Sequence, residues 1–307
     1  MRRRLARRCS GAMLAVAGLV GFVAVGRTET LTIATYNIEN YVSTDRMTEA
    51  GYRKDYPKPE TQKRALRDVI RRLDADILVL QEMGTQAYLN ELKRDLIHDG
   101  LHYPHAVLLS GPDTNRHVAL LSKRILTAAI PHESLTFPYF GETEKVKRGM
   151  LEVQCLTTQG PLTLFAVHLK SRFTDRVDDP QSTLRRQGEA VAVRDQILER
   201  FSDPTSSRFL ILGDFNDTKT SKTLQRVQRR GRTQIAELLP ILDTRGETWT
   251  HVYKKEDSYS RVDHILFSPG LEFAVRAGAG RIDDGPGVSE ASDHRPVSIT
   301  LELSDKK

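Results

Sequence analysis

Six short apolar runs in this 307-residue chain end on, or begin from, a carboxylate, an amide or an imidazole. LTIATY (31–36) runs into Asn37, DILVLQ (76–81) into Glu82, and LTLFAV (162–167) into His168. RFLILG (208–213) delivers Asp214 and, two positions on, Asn216; Asp263 lies at the start of VDHILFS (262–268); Asp293 and His294 lie just before PVSITLEL (296–303), with Arg295 between. These runs read as strands, and DILVLQ, short and nearly continuously apolar, reads as one covered on both faces. A fold that buries six of them must gather their polar ends at strand termini, where rigid backbone can hold a site assembled from distant parts of the chain.

Between these runs the hydrophobic period changes from near-continuous to helical. ETQKRALRDVIRRL (60–73) places Ala65, Leu66, Val69, Ile70 and Leu73 at helical spacing, and a second helix is expected near 84–97 with Leu89, Leu92 and Leu96 on one face. A third covers 182–200, where Leu184, Val191 and Leu198 recur every seven residues, and a short fourth lies near 220–229. Helices alternate with single strands in the first third, whereas HAVLL, HVALLS, MLEVQCL and LTLFAVHL lie side by side in the middle. A purely parallel doubly wound sheet does not produce that order. Mixed β-sheets packed face to face with helices outside, an α/β (α+β) arrangement, do. No linker divides residues 27–307, which read as one domain, and the stretches 41–60 and 170–182 read as polar connections.

The first 26 residues stand apart. MRRRLARR carries five arginines and no acid, and an uncharged apolar stretch ends in small residues near Ala24 and Gly26, the pattern of a secretory signal peptide. An uncleaved N-terminal anchor is the alternative, although the apolar run is short for a spanning helix. The expected location is therefore secreted or periplasmic, or anchored and facing outward, with membrane contact only through that segment. The leader also accounts for the charge: the chain has 46 bases and 40 acids, and without the leader's five arginines 41 bases face 40 acids. Global charge then says nothing about a polyanionic partner, and any such argument must be local. Outside the leader Cys155 is alone, so no intramolecular disulfide forms. No protein partner is implied.

The polar set has a coherent chemistry. Asn37, Glu82 and the aspartates are oxygen ligands, suited to a hard cation such as Mg2+ or Mn2+. Asp214 can accept the proton of an attacking water, and Asn216 can orient a phosphoryl oxygen without changing charge. His168 and His294, if protonated, can stabilise charge on non-bridging oxygens, with Asp263 available to fix an imidazole tautomer. Together these residues describe metal-assisted, in-line water attack on a phosphoester.

TYNIENY, LQEM, VHLKS, GDFND, RVDHIL and SDHRPV, in this order, resemble the endonuclease/exonuclease/phosphatase superfamily, the fold of pancreatic-type deoxyribonuclease and exonuclease III. The motifs span about residues 31 to 303. The resemblance implies a four-layered sandwich of two mixed β-sheets flanked by helices and a divalent-metal phosphoesterase. It implies Asn37 and Glu82 at the metal with Asp293 close by, and Asp214 activating water beside Asn216. It also implies His294 on the scissile phosphate, oriented by Asp263, and His168 stabilising the transition state. His264 stands where many relatives carry an aromatic residue.

Substrate class is less legible. Arg148, Lys170 and Arg172 are candidate phosphate contacts, joined by Arg185 and Arg186 and by the cations of KTSKTLQRVQRRGR (219–232). Tyr52 and Tyr56, among Arg53, Lys54 and Lys58, could stack bases. These features favour nucleic acid. A secreted sphingomyelinase-like lipid phosphodiesterase would need an exposed apolar element, for which SLTFPYF (134–140) is the candidate. A small-molecule or inositol-phosphate phosphatase is a further alternative. An inactive binding module predicts loss of a polar site residue, and none is missing. His98, His102, His105, His117, His132 and His251 show no metal-ligand spacing and read as structural or surface residues.

Overall fold

The computed structural model describes residues 28–304 apart from Glu49 and Asp175, so the leader-like segment lies outside the described residues. In chain order the sheet strands are β1 (Glu29–Tyr41), β2 (Ile77–Met83), β3 (His105–Leu109), β4 (His117–Ser122), β5 (Leu126–His132) and β6 (Met150–Thr157). They continue as β7 (Gly160–His168), β8 (Phe209–Asp214), β9 (Glu237–Leu238), β10 (Asp263–Phe267), β11 (Val275–Ile282) and β12 (Val297–Leu303). The main helices are α1 (Glu60–Leu73), α2 (Gln86–His98), α3 (Thr183–Arg200) and α4 (Lys222–Gln228).

Two six-stranded sheets result, ordered β11-β12-β1-β2-β4-β3 and β9-β10-β8-β7-β6-β5. Each is mixed, with one parallel pair: β1 with β2, and β7 with β8. Alternation along the strands decides what goes where. Leu31 and Ile33 of β1 and Ile77 and Val79 of β2 meet Leu164, Leu210, Leu212 and Ile265 of the other sheet in a shared inner core. The opposite faces are covered separately. Leu66, Val69 and Ile70 of α1 and Leu89, Leu92 and Leu96 of α2 pack on Ala34, Leu78 and Leu80. Ala190, Val193 and Ile197 of α3, with Leu224 and Val227 of α4, pack on Phe165, Phe209 and Ile211. Each fully buried Leu, Ile or Phe contributes about 1.5–3 kcal/mol. The expected four-layered sandwich is what the chain forms.

Two local expectations differ from the structure. The buried stripe of α3 is not the seven-residue series: Leu184 is 50% exposed, and the inward face is Arg186, Glu189, Ala190, Val193 and Ile197. The two charged members of that stripe hold polar loops near the site, a role that hydrophobic periodicity does not detect. The polar stretch 41–60 is not all connection either. It folds into a hairpin of Thr44–Thr48 and Gly51–Tyr56, pinned by a Tyr52 hydroxyl donating to Asp45 and by Arg46 donating to the carbonyl of Val42 at 2.9 Å.

The parallel pairs leave the C-terminal ends of β1, β2, β7 and β8 at one edge. β10 starts opposite the end of β8, and β12 starts opposite the end portion of β1. Gly213 is required on the way there: it has φ +144°, and a Cβ would sit 1.9 Å from the carbonyl oxygen of Val167 on β7. Gly213→Ala is therefore expected to destabilise the fold by ~2 kcal/mol or more and to lower Tm in a thermal melt. An unchanged Tm would refute the close approach.

Candidate active site

Sheet register builds the first row of the site. His168 of β7 lies beside Asp214 of β8, and Asp214 lies beside Asp263 of β10. The facing sheet supplies Asn37, whose Nδ2 donates to Asp214 Oδ2 at 3.0 Å. Asp214 also accepts from the Asn216 backbone N–H at 2.7 Å and from Asn216 Nδ2 at 3.1 Å, and His168 Nε2 lies 3.5 Å away. Asn216 sits at φ +51°, a left-handed turn that asparagine tolerates, and its amide reaches the carbonyl of Leu169 at 2.9 Å.

His294 completes the row from the loop before β12. Its Nδ1 and Asp263 Oδ2 are 2.8 Å apart, and its backbone N–H donates to Ser292 Oγ at 3.0 Å. Ser292 in turn donates to the carbonyl of Asn37 at 2.8 Å, tying this loop to β1. Glu82 stands at the end of β2 with φ +63°, accepting the Asn40 N–H at 2.9 Å. Asp293 Oδ1 is 3.9 Å from His294 Nε2. Asn37, His168, Asp214, Asn216, Asp263, Asp293 and His294 are thus joined by direct contacts, with Glu82 linked through the Asn37–Asn40 turn.

Burial and charge give these groups unequal proton affinities. Burial, then the neighbouring Asp263 carboxylate, pushes Asp214 up to about 7. Burial alone would depress His294, but Asp263, Asp293 and Asp214 outweigh it and hold the imidazolium well above the ordinary histidine range. His168 goes the other way: burial and the charge of Arg148 hold it well below that range. The two histidines that the sequence treats alike are a cation and a neutral imidazole.

Several cations do not face outward. Arg148 is buried, with Nε 3.0 Å from Asp113 Oδ2 and Nη1 donating to the Leu169 carbonyl. Lys170 is buried and donates to Ser171 O at 3.1 Å and to Phe173 O; burial and then Arg148 bring its ammonium down to about 8. Arg186 is buried against the carbonyls of Lys170 and Gln181. Arg172 remains exposed. The expected basic rim beside His168 is reduced because loop carbonyls there need donors.

Other residues enter without a clear sequence signal. Lys58, grouped with a surface patch above, is buried and donates to the Glu39 carbonyl at 3.1 Å; burial brings it down to about 8. Buried Glu189 accepts the N–H groups of Lys147 and Lys170, clamping the loop after His168. His251 Nε2 is 3.8 Å from Asp293 Oδ2. These partners lie 19 to 42 positions apart, so no local motif reveals them.

The donor set fits a hard divalent cation. Glu82 and Asp293 offer carboxylate oxygens and Asn37 an amide oxygen, and Asp263 Oδ1 is buried with no hydrogen-bond partner. Asp263→Asn is expected to remove the main charge that sustains His294. An NMR titration should then show His294 losing its proton at lower pH than in the wild type, and an unmoved titration would contradict the pairing.

A family model described as Endonuclease/Exonuclease/phosphatase family matches residues 34–294. Among solved structures, an endonuclease/exonuclease/phosphatase from Bacteroides vulgatus superposes with TM-score 0.62 at 15% identity, covering 90% of this chain and 99% of its own. Sphingomyelinase C from Streptomyces griseocarneus gives TM-score 0.58 at 15% identity, over 89% and 99%. A 3'-5' exonuclease from Neisseria meningitidis gives 0.56 at 17%, over 90% and 100%. No curated protein matches the sequence.

Proposed function

Since the chain belongs to the endonuclease/exonuclease/phosphatase family of divalent-metal-dependent phosphoric-ester hydrolases, we propose that it is a secreted nuclease that cleaves nucleic-acid phosphodiesters. The observation that carries the hydrolytic reading is the Asn37–Asp214–Asp263–His294 cluster: a buried carboxylate poised near neutrality beside an imidazolium. Asn37, Glu82 and Asp293 would hold Mg2+ or Mn2+, which when bound supplies Lewis-acid charge to a phosphoryl oxygen. Asp214, held by Asn37 and Asn216, takes the proton from water. His294, oriented by Asp263, donates to a non-bridging oxygen, and neutral His168 adds a second donor without adding charge.

Nucleic acid is supported by what lies on the surface beyond β8. Lys219, Lys222, Arg226, Arg229, Arg230 and Arg232 are all exposed, and Tyr52 and Tyr56 are exposed on the hairpin beside Arg53 and Lys54. The apolar element expected for a lipid enzyme is largely internal: Phe137 and Tyr139 are buried, and Phe140 lies under the Arg176 guanidinium. A lipid phosphodiesterase is nevertheless a second reading, because Phe173 and Val177, on the loop after His168, are 78% and 93% exposed. Export is supported by the leader-like residues 1–26.

Asp214→Ala and His294→Ala should each lower Mg2+-dependent phosphodiesterase activity by about 10³-fold or more with the fold retained by circular dichroism. Normal rates would sink the role assignment. Because the base must be ionised, kcat/KM should fall roughly tenfold per pH unit below about 7; a flat acidic side would remove Asp214 from that role. DNA and RNA should be cleaved and sphingomyelin spared, and binding to a catalytically silent variant should weaken steeply between about 50 and 200 mM salt. A salt-independent response, or preferred cleavage of sphingomyelin, favours the lipid reading.

A further inference from the structure

His251 belongs to none of the motifs, yet its imidazole lies at the site. It opens the hairpin of His251–Tyr253 and Ser258–Ser260 and forms an isolated antiparallel bridge with His294. Val252 N–H donates to the Asp293 carbonyl at 3.0 Å, which fixes the two segments side by side. Side chains follow: His251 Nε2 to Asp293 Oδ2 is 3.8 Å, Asp293 Oδ1 to His294 Nε2 is 3.9 Å, and the two rings are 4.5 Å apart. One donor atom from each of the three residues falls within 4.8 Å of the other two.

From this we propose a second cation position formed by His251, Asp293 and His294, which takes a borderline transition ion, Zn2+, in preference to Mg2+. The inference rests on the phosphoesterase reading of the same cleft and extends it. Two imidazole nitrogens and one carboxylate form a set that suits zinc, whereas Asn37 and Glu82 offer only oxygen. Zinc–ligand bonds of about 2.0–2.2 Å require donors somewhat closer than these, so a modest side-chain adjustment closes the set. The Nδ1 of His294 faces the Asp263 carboxylate, as in metal-bound histidines, so an ion would take Nε2; zinc there displaces the Nε2 proton and therefore opposes the donor role of His294 in hydrolysis. His251 is partly exposed, giving an ion a path to the position. Asp293, with an oxygen toward each histidine, would be shared with the hard-cation position.

The test is a calorimetric titration of Zn2+ into the full-length protein in excess Mg2+. One tight zinc per chain is expected. His251→Ala and His251→Gln should each weaken it at least tenfold, while melting as the wild type does in the absence of zinc. His98→Ala, at an exposed histidine remote from the cluster, should leave the isotherm unaltered. An isotherm unaffected by either His251 substitution overturns the proposal, as does absence of one tight site or equal weakening by His98→Ala. If His251→Ala melts low, the His251→Gln isotherm decides. Failure of the phosphoesterase reading is read separately, as no Mg2+-dependent hydrolysis by the wild type whatever the zinc isotherm.

Discussion

The contact from Asn37 to Asp214 crosses from one sheet to the other, and the site depends on it. Its 3.0 Å length is set by the inner core, because Ile33 of β1 and Leu212 of β8 belong to one packed layer just below. Core packing therefore fixes the distance between the strand that offers the amide and the strand that offers the base. Removal of the amide would leave Asp214, already buried, short of a donor, at a cost of about 1–3 kcal/mol. The same contact aims the carboxylate, since Asn216 and His168 approach it from the β7 side and hold it in one orientation.

Electrostatics in this cleft follow from how many carboxylates each group sees. His294 faces Asp263, Asp293 and Asp214, and stays charged although buried. His168 touches Asp214, but its burial first, and then the positive charges of Arg148, His294 and Arg116, hold it well below the ordinary histidine range. Lys58 supplies an interior positive charge near Glu39, 3.8 Å from its carboxylate, and so offsets part of the acidic excess without occupying the Asp214 side. Residue type sets which protons are available; neighbours within a few ångströms decide which are held.

Much of this could be read in the sequence, and for a physical reason. A strand buried on both faces is largely apolar, so the place where its apolar run gives way to chemistry-bearing side chains marks the layer edge; Asn37, Glu82, His168 and Asp214 lie at such places, the last two as the final residues of their strands. Helices α1 and α2 were legible because Leu66, Val69 and Ile70 and Leu89, Leu92 and Leu96 form apolar stripes, although α1 also buries Lys63 and Arg67. Helix α3 was legible as a helix but not in its orientation, because Arg186 and Glu189 are buried through hydrogen bonds rather than hydrophobicity. The contribution of His251 was invisible, since it arises from a bridge between segments 43 positions apart. Whether an arginine faces solvent or a carbonyl was equally invisible: Arg148 and Arg172 look alike in sequence and differ only in what surrounds them.

That distinction bears on how a substrate would be held. Arg148, Lys170 and Arg186 satisfy carbonyls around the end of β7, so they stiffen the mount of His168 and contribute long-range positive potential rather than direct phosphate contacts. A polyanion would then meet its first exposed cations farther out, on α4 and the segment after it, where arginines and lysines follow β8. If the substrate is the nucleic acid proposed above, grip and chemistry are separated: cations held inside the fold shape the proton affinities of the site without competing for its acceptors, and the exposed cations would follow a backbone of variable sequence.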